Sequence, residues 1–192
     1  MLDCKSRGDG STPSGVSKIN TIMEKYAFLM VNYETPDYIK DIQRKITKED
    51  LYVPENPEKG FGYGLEVETH VTVAPCLDND LDPNKVKPFL FPLKDYNVML
   101  SDVSMFENDE YDVLKCSVIC PNLFETNKRI SENFELHTEF TTYKPHITIA
   151  YVKKGTCKKF LRQIVTKQVF LKPVEFVWGW FDGNNYKTKT WK

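Results

Sequence analysis

Two stretches decide how this chain is read: THVTVAPC at residues 69–76 and PHITIAYV at residues 145–152. Both run His, β-branched, Thr, β-branched, Ala. Branched side chains favour extended backbone because they pack well on a pleated surface. In a strand, residues i and i+2 share a face. His70 and Thr72 therefore project together, as do His146 and Thr148. Val71, Val73, Ile147 and Ile149 turn to the opposite, apolar face. Each stretch predicts a strand that is buried on one side and carries polar chemistry on the other.

Working outward, residues 25–33 (KYAFLMVNY) predict a strand, apolar and aromatic throughout. Thr35-Pro36-Asp37 opens a helix with Thr35 as its cap, and Tyr38, Ile39, Ile42 and Ile46 give helical spacing. Residues 52–64 (YVPENPEKGFGYG) form a loop. Residues 82–93 read as a short helix with Pro83 at its start, 96–106 and 112–120 as two strands joined by an acidic turn, and 122–134 as a helix. After the second motif, residues 158–169 predict an amphipathic helix with Phe160, Leu161, Ile164 and Val165 inward. Residues 175–181 (EFVWGWF) form a last strand, followed by a turn at Asp182-Gly183-Asn184. The order β-α-β-α-β-β-α-β-α-β describes a mixed α/β or α+β chain. Each motif strand is followed by a helical segment, which implies a weak symmetry between two halves centred near residue 110.

The chain of 192 residues is 41% apolar, enough for one domain or a two-lobed single domain with a substantial core. Residues 1–22, rich in Gly, Ser, Lys and Asp, are expected to be a disordered extension, an upstream start or an expression remnant, with the domain spanning 23–192. The formal net charge of −1 gives no bulk signature of duplex nucleic-acid binding, so an anionic ligand would need a local site. Five cysteines without a CxxC pair predict neither a disulfide framework nor a closed zinc site. With no long apolar run, the chain is expected to be cytoplasmic and to have no membrane association.

The paired motifs suit one kind of chemistry. If the two strands lie side by side or face each other, two imidazoles and two hydroxyls converge. Phosphodiester cleavage needs one group to take a proton from the attacking oxygen and another to give one to the leaving oxygen. Imidazoles titrate in the right range for both tasks. Threonine hydroxyls can donate to the non-bridging phosphate oxygens as charge builds there. No metal, organic cofactor or obligatory protein partner is required. A single His-x-Thr triplet means little, because it arises by chance in many strands. Here two of the three histidines fall in matching five-residue patterns. The third, His137 in LHTEF, lacks the pattern and reads as a surface or structural residue.

The paired motifs, their strand context and their spacing resemble the two-histidine phosphoesterase superfamily. KYAFLMVNYETPDYIKDIQ, the loop before ETHVTVAPCLDN, and YKPHITIAYV are similar to the tailed-phage anti-CBASS phosphodiesterases, from about residue 24 to the C-terminus. The resemblance implies a bilobal α+β fold around a central cleft, with His70, Thr72, His146 and Thr148 catalytic. It implies hydrolysis of cyclic di- and trinucleotide messengers such as 3′,3′-cyclic GMP–AMP in the host cytoplasm, through attack of a ribose 2′-hydroxyl on the adjacent phosphate. A family tyrosine near the phosphate falls on Tyr33, and a family acidic residue on Glu175. Bases need flat partners, for which Phe61, Tyr63, Tyr143, Trp178 and Trp180 are the candidates, with one of the two tryptophans expected in the core. Lys144 is a candidate for neutralising phosphate charge. Three alternatives stay open: an RNA-end 2′,3′-cyclic phosphodiesterase on the same site, a sponge that binds cyclic nucleotides without cutting them, and a protein whose His-x-Thr strands are coincidental.

Overall fold

A computed structural model describes residues 26–54, 63–138, 140–161, 168–182 and 185–192. Residues 1–22, Phe61, the middle of the helix expected at 158–169 and the tip of the turn at 182–184 lie outside them. Among the described residues there are eight strands: β1 (Tyr26–Tyr33), β2 (His70–Asp78), β3 (Val98–Glu107), β4 (Tyr111–Ile119), β5 (His146–Lys153), β6 (Phe170–Leu171), β7 (Pro173–Asp182) and β8 (Asn185–Trp191). They pair antiparallel into two four-stranded sheets, ordered β2-β1-β7-β8 and β5-β4-β3-β6. Each sheet is a lobe, and each lobe carries one motif strand. The lobes are not the two halves of the sequence, however. β7 and β8, from the far end of the chain, return to complete the sheet begun by β1 and β2, which corrects the symmetry point placed near residue 110.

Among the described residues three α-helices connect the strands: α1 (Asp37–Gln43), α2 (Pro83–Leu90) and α3 (Pro121–Asn133). Asp82 caps α2 by accepting from the Asn84 N–H at 3.0 Å. Thr35 does not cap α1. The cap position falls on Pro36, and the Thr35 hydroxyl accepts from Thr69 at 2.8 Å instead. In place of the start of the last expected helix, Thr156–Lys159 form a single 3-10 turn after Gly155, whose φ of 79° sits in the left-handed region. β6 and β8 were not foreseen. β6 is two residues long, and β8 (NYKTKTW) is exposed until its last residue, so neither shows apolar alternation.

One core joins the lobes. Ala27, Leu29, Val31, Val71, Phe176 and Trp178 of the first sheet share a cluster with Leu114, Cys116, Ile147 and Ile149 of the second. Ile39 and Ile42 of α1, Val86 and Leu90 of α2, and Leu123 and Ile130 of α3 complete it. Each such aliphatic side chain contributes about 1.5–3 kcal/mol on burial. Cys116, Cys120 and Cys157 are free and buried, whereas Cys76 is disulfide-bonded, a departure from the expectation drawn from cysteine spacing.

Both motif strands bulge one residue after the threonine. Thr72 pairs with Met30 while Ala74 pairs with Leu29, which leaves Val73 as the extra residue. Thr148 pairs with Lys115 while Ala150 pairs with Leu114, which leaves Ile149 extra. A bulge disturbs the ladder and sets carbonyls free. Asn127 of α3 donates its side-chain amide to the Val73 carbonyl at 2.8 Å. Gln43 of α1 donates to the Ile149 carbonyl at 3.3 Å and to Glu66 at 2.7 Å. Each helix therefore latches the motif strand of the opposite lobe.

Candidate active site

His70 begins β2 and His146 begins β5, and the two strands lie in contact. The imidazoles are anchored alike. His70 Nδ1 is 3.2 Å from the Glu68 carbonyl, and His146 Nδ1 is 2.7 Å from the Lys144 carbonyl. A carbonyl only accepts, so Nδ1 carries the hydrogen in both bonds and Nε2 is the ring atom left for chemistry. Burial lowers the pKa of His70 below the ordinary histidine value, against a smaller raising effect of the Glu68 carboxylate. For His146, burial pushes the value down to about 4, with the charges of Lys115 and His70 pressing the same way. His70 is thus close enough for its charge to act on His146.

The sheet registers show what accompanies them. Across the first sheet, His70 lies opposite Asn32, which lies opposite Glu175. The Asn32 amide donates to Glu175 at 3.3 Å, and its Oδ1 is buried with no partner among the described residues. Across the second sheet, His146 lies opposite Ser117 and Thr148 opposite Lys115. Phe106 meets the His146 ring edge-to-face, with centroids 4.9 Å apart. Thr72 is half-buried and Thr148 buried, and neither hydroxyl has a hydrogen-bond partner among the described residues.

The four motif residues are therefore brought together, and Glu175 shares the His70 face of its sheet. Lys144 is exposed and close enough to Lys115 for their charges to interact. Tyr143 is half-buried and donates its hydroxyl to the Thr72 backbone carbonyl at 2.9 Å, tying the approach to β5 onto β2. Its ring stacks edge-on against Phe124, so it works as a cross-lobe brace.

Two expected contacts are corrected. Tyr33 is 6% exposed and packs in the shared core; the β1 residue in the His70 row is Asn32. Trp178 is 1% exposed and sits opposite Leu29 on the core face, and Trp180 shares that face opposite Ala27, so Trp178 offers no surface to a base. Strand periodicity already sets Asn32, not Tyr33, in phase with Met30, but without the register nothing links that phase to the His70 face. Tyr63 packs edge-on against Tyr52, Tyr111 and Tyr151. His137 stands apart from the pair, stacked on Tyr26 and 2.9 Å from Asp78.

Sequence reasoning missed Lys115, Ser104, Ser117, Phe106 and Asn32. The legible signal lay in β4 (YDVLKCSVI), where Lys115 and Ser117 stand two apart on one face of a mostly apolar strand. Among the described residues, no three His, Cys, Asp or Glu side chains group to hold a metal ion, and no helix is long and apolar enough to cross a membrane.

No protein-family model matches the sequence, and no curated protein does. Solved structures do match. Usb1 of Kluyveromyces marxianus aligns at 10% identity with a TM-score of 0.51, over 87% of this chain and 98% of that one. LigT of E. coli, solved with 3′-AMP, aligns at 13% identity with a TM-score of 0.47, over 88% and 95%. A structure described as a phosphoesterase aligns at 12% identity with a TM-score of 0.48, over 88% and 96%. At 10% identity the likeness to Usb1 speaks for the fold alone: the chain shares that α+β architecture, with one motif strand in each of its two sheets.

Proposed function

We propose that the protein is a metal-independent phosphodiesterase that opens cyclic di- and trinucleotide messengers such as 3′,3′-cyclic GMP–AMP, and so counters CBASS defence in a host cytoplasm. The observation that carries the phosphodiesterase reading is the matched anchoring of two neighbouring imidazoles through Nδ1, which leaves both Nε2 atoms for proton transfer. The choice of substrate is supported by the resemblance of the motif-bearing segments to the anti-CBASS enzymes, and by a net charge that offers no long track for RNA.

The surroundings favour a division of labour. His146 has Lys115 beside it, which disfavours a charged ring, so it is the neutral base. His70 has the Glu68 carboxylate beside it, which favours a charged ring, so it is the acid. His146 Nε2 takes the proton of a ribose 2′-hydroxyl as that oxygen attacks the neighbouring phosphorus. The bond from phosphorus to the 5′-oxygen breaks, and the imidazolium of His70 protonates the departing oxygen. Thr72 and Thr148 donate to the non-bridging oxygens. The ring opens to a linear strand ending in a 2′,3′-cyclic phosphate, and no metal is needed for the step.

The test is a mass-spectrometric product assay on a panel of cyclic di- and trinucleotides and RNA ends, with and without EDTA. Linear product that survives EDTA and vanishes in His70→Ala and His146→Ala is expected. Preferential turnover of RNA 2′,3′-cyclic ends would reassign the substrate. Recovery of intact ligand after denaturation would make the protein a sponge.

A further inference from the structure

β4 crosses the centre of its sheet, and all of it is apolar or core-directed except the face it shares with His146. On that face Lys115 lies opposite Thr148, and Ser117 opposite His146. Lys115 is only 6% exposed. Lysine is almost never buried unless paired, because removing an ammonium from water is costly without a compensating charge. No carboxylate compensates this one among the described residues. Its Nζ donates to Ser104 Oγ at 2.7 Å and to Ser117 Oγ at 3.3 Å, and lies 4.4 Å from the centre of the Phe106 ring. That same ring abuts His146. Lys144 adds a second positive charge nearby. An ammonium has three donors; two serines occupy two of them.

A desolvated cation, fixed by two neutral hydroxyls, set beside an imidazole and left with a spare donor is built to receive an anion. We propose that Lys115 is a phosphate-binding residue of this site, with the non-bridging oxygen of the scissile phosphodiester as its missing counter-charge. This rests on the phosphodiesterase reading. Ser104 and Ser117 position the ammonium, and Phe106 holds it against the ring of His146. The role belongs to the transition state most of all, since negative charge accumulates on the non-bridging oxygens there and a preorganised donor stabilises that charge without rearranging. The lobes differ here, because the equivalent place in the first sheet, opposite Thr72, holds Met30 rather than a cation.

The test compares Lys115→Met, Lys115→Arg and the surface control Lys128→Met. Calorimetry with inorganic phosphate and turnover of 3′,3′-cyclic GMP–AMP are measured together. Lys115→Met should weaken phosphate binding roughly 10-fold or more and lower kcat/KM by about 10²–10³-fold, the range for loss of one oxyanion donor. Lys115→Arg should recover most of both, and Lys128→Met should match the parent. The His146 imidazole, followed by NMR, should titrate at higher pH in Lys115→Met, since a neighbouring positive charge is gone. Unchanged phosphate affinity and turnover in folded Lys115→Met would overturn the proposal. If Lys115→Met does not fold, the Ser104→Ala/Ser117→Ala pair, which frees the ammonium, must weaken phosphate binding several-fold, and unchanged affinity there overturns it instead. Absence of turnover in the parent protein sinks the phosphodiesterase reading itself, whereas parent turnover that survives Lys115→Met sinks only this inference.

Discussion

At the scale of the residue, the histidines set the pH behaviour. Both have values below the ordinary 6.5, and that of His146 is about 4. In the unliganded protein at pH 7 both rings are therefore mainly neutral. The base is ready, while the acid is charged only in a minority of molecules. As pH rises, His70 loses its proton and kcat/KM should fall. As pH drops toward about 4, His146 gains a proton and kcat/KM should fall again. The profile of kcat/KM should be a bell with its maximum between pH 4 and 6.5, and a maximum above pH 7 would contradict the assignment. The bell for kcat should lie higher, because bound phosphate stabilises an imidazolium. For the threonines, Thr72→Val and Thr148→Val keep shape and remove a donor. Each should lower kcat by about 10²–10³-fold with little change in stability, as steady-state kinetics and urea titration would reveal.

At the scale of the element, the bulges do the positioning. Val73 and Ile149 interrupt the ladders immediately after the motif threonines; the Asn127 amide occupies the Val73 carbonyl, and the Ile149 carbonyl accepts from both the Gln43 amide and the Glu66 N–H. Asn127→Ala should cost about 1–3 kcal/mol, the usual penalty for stranding a buried polar group, and Gln43→Ala less, because the Ile149 carbonyl keeps the Glu66 N–H at 3.1 Å. Urea unfolding should show this, and kcat should drop in parallel because the adjacent threonine is no longer fixed. Asn133→Ala is the control: its amide bonds to Arg129 on an exposed turn of α3, so stability should change by less than about 0.5 kcal/mol. The β7–β8 hairpin offers a different test. A Cβ on Gly179 would clash with the Tyr186 hydroxyl, so only glycine lets that ring lie across the strand. Gly179→Ala should displace Tyr186 from Phe181, its partner at 5.2 Å, and Tyr186→Ala should relieve the cost in a double-mutant cycle.

At the scale of the molecule, the lobes should not unfold separately. They share one apolar cluster, β7 and β8 return to the first sheet from the end of the chain, and α1 and α3 each reach across. Far-ultraviolet dichroism and tryptophan fluorescence, with all three tryptophans in the first sheet's half of the core, should report one coincident transition. Two separated transitions would show that the lobes are independent domains.

The sequence by itself determined the motif strands, the pairing of His with Thr on one face, the mixed α+β class and most element positions, because each of these follows from side-chain periodicity within a few residues. Only the tertiary structure decided the rest, because it depends on which strands become neighbours. Register sent Tyr33 and Trp178 to the core and put Asn32 in the His70 row. A chain reversal far from β1 completed its sheet. Two bulges, invisible to alternation, set the backbone beside each threonine. Lys115 looks like an odd polar residue in an apolar strand until β4 is laid beside β5, where its charge comes to bear on His146.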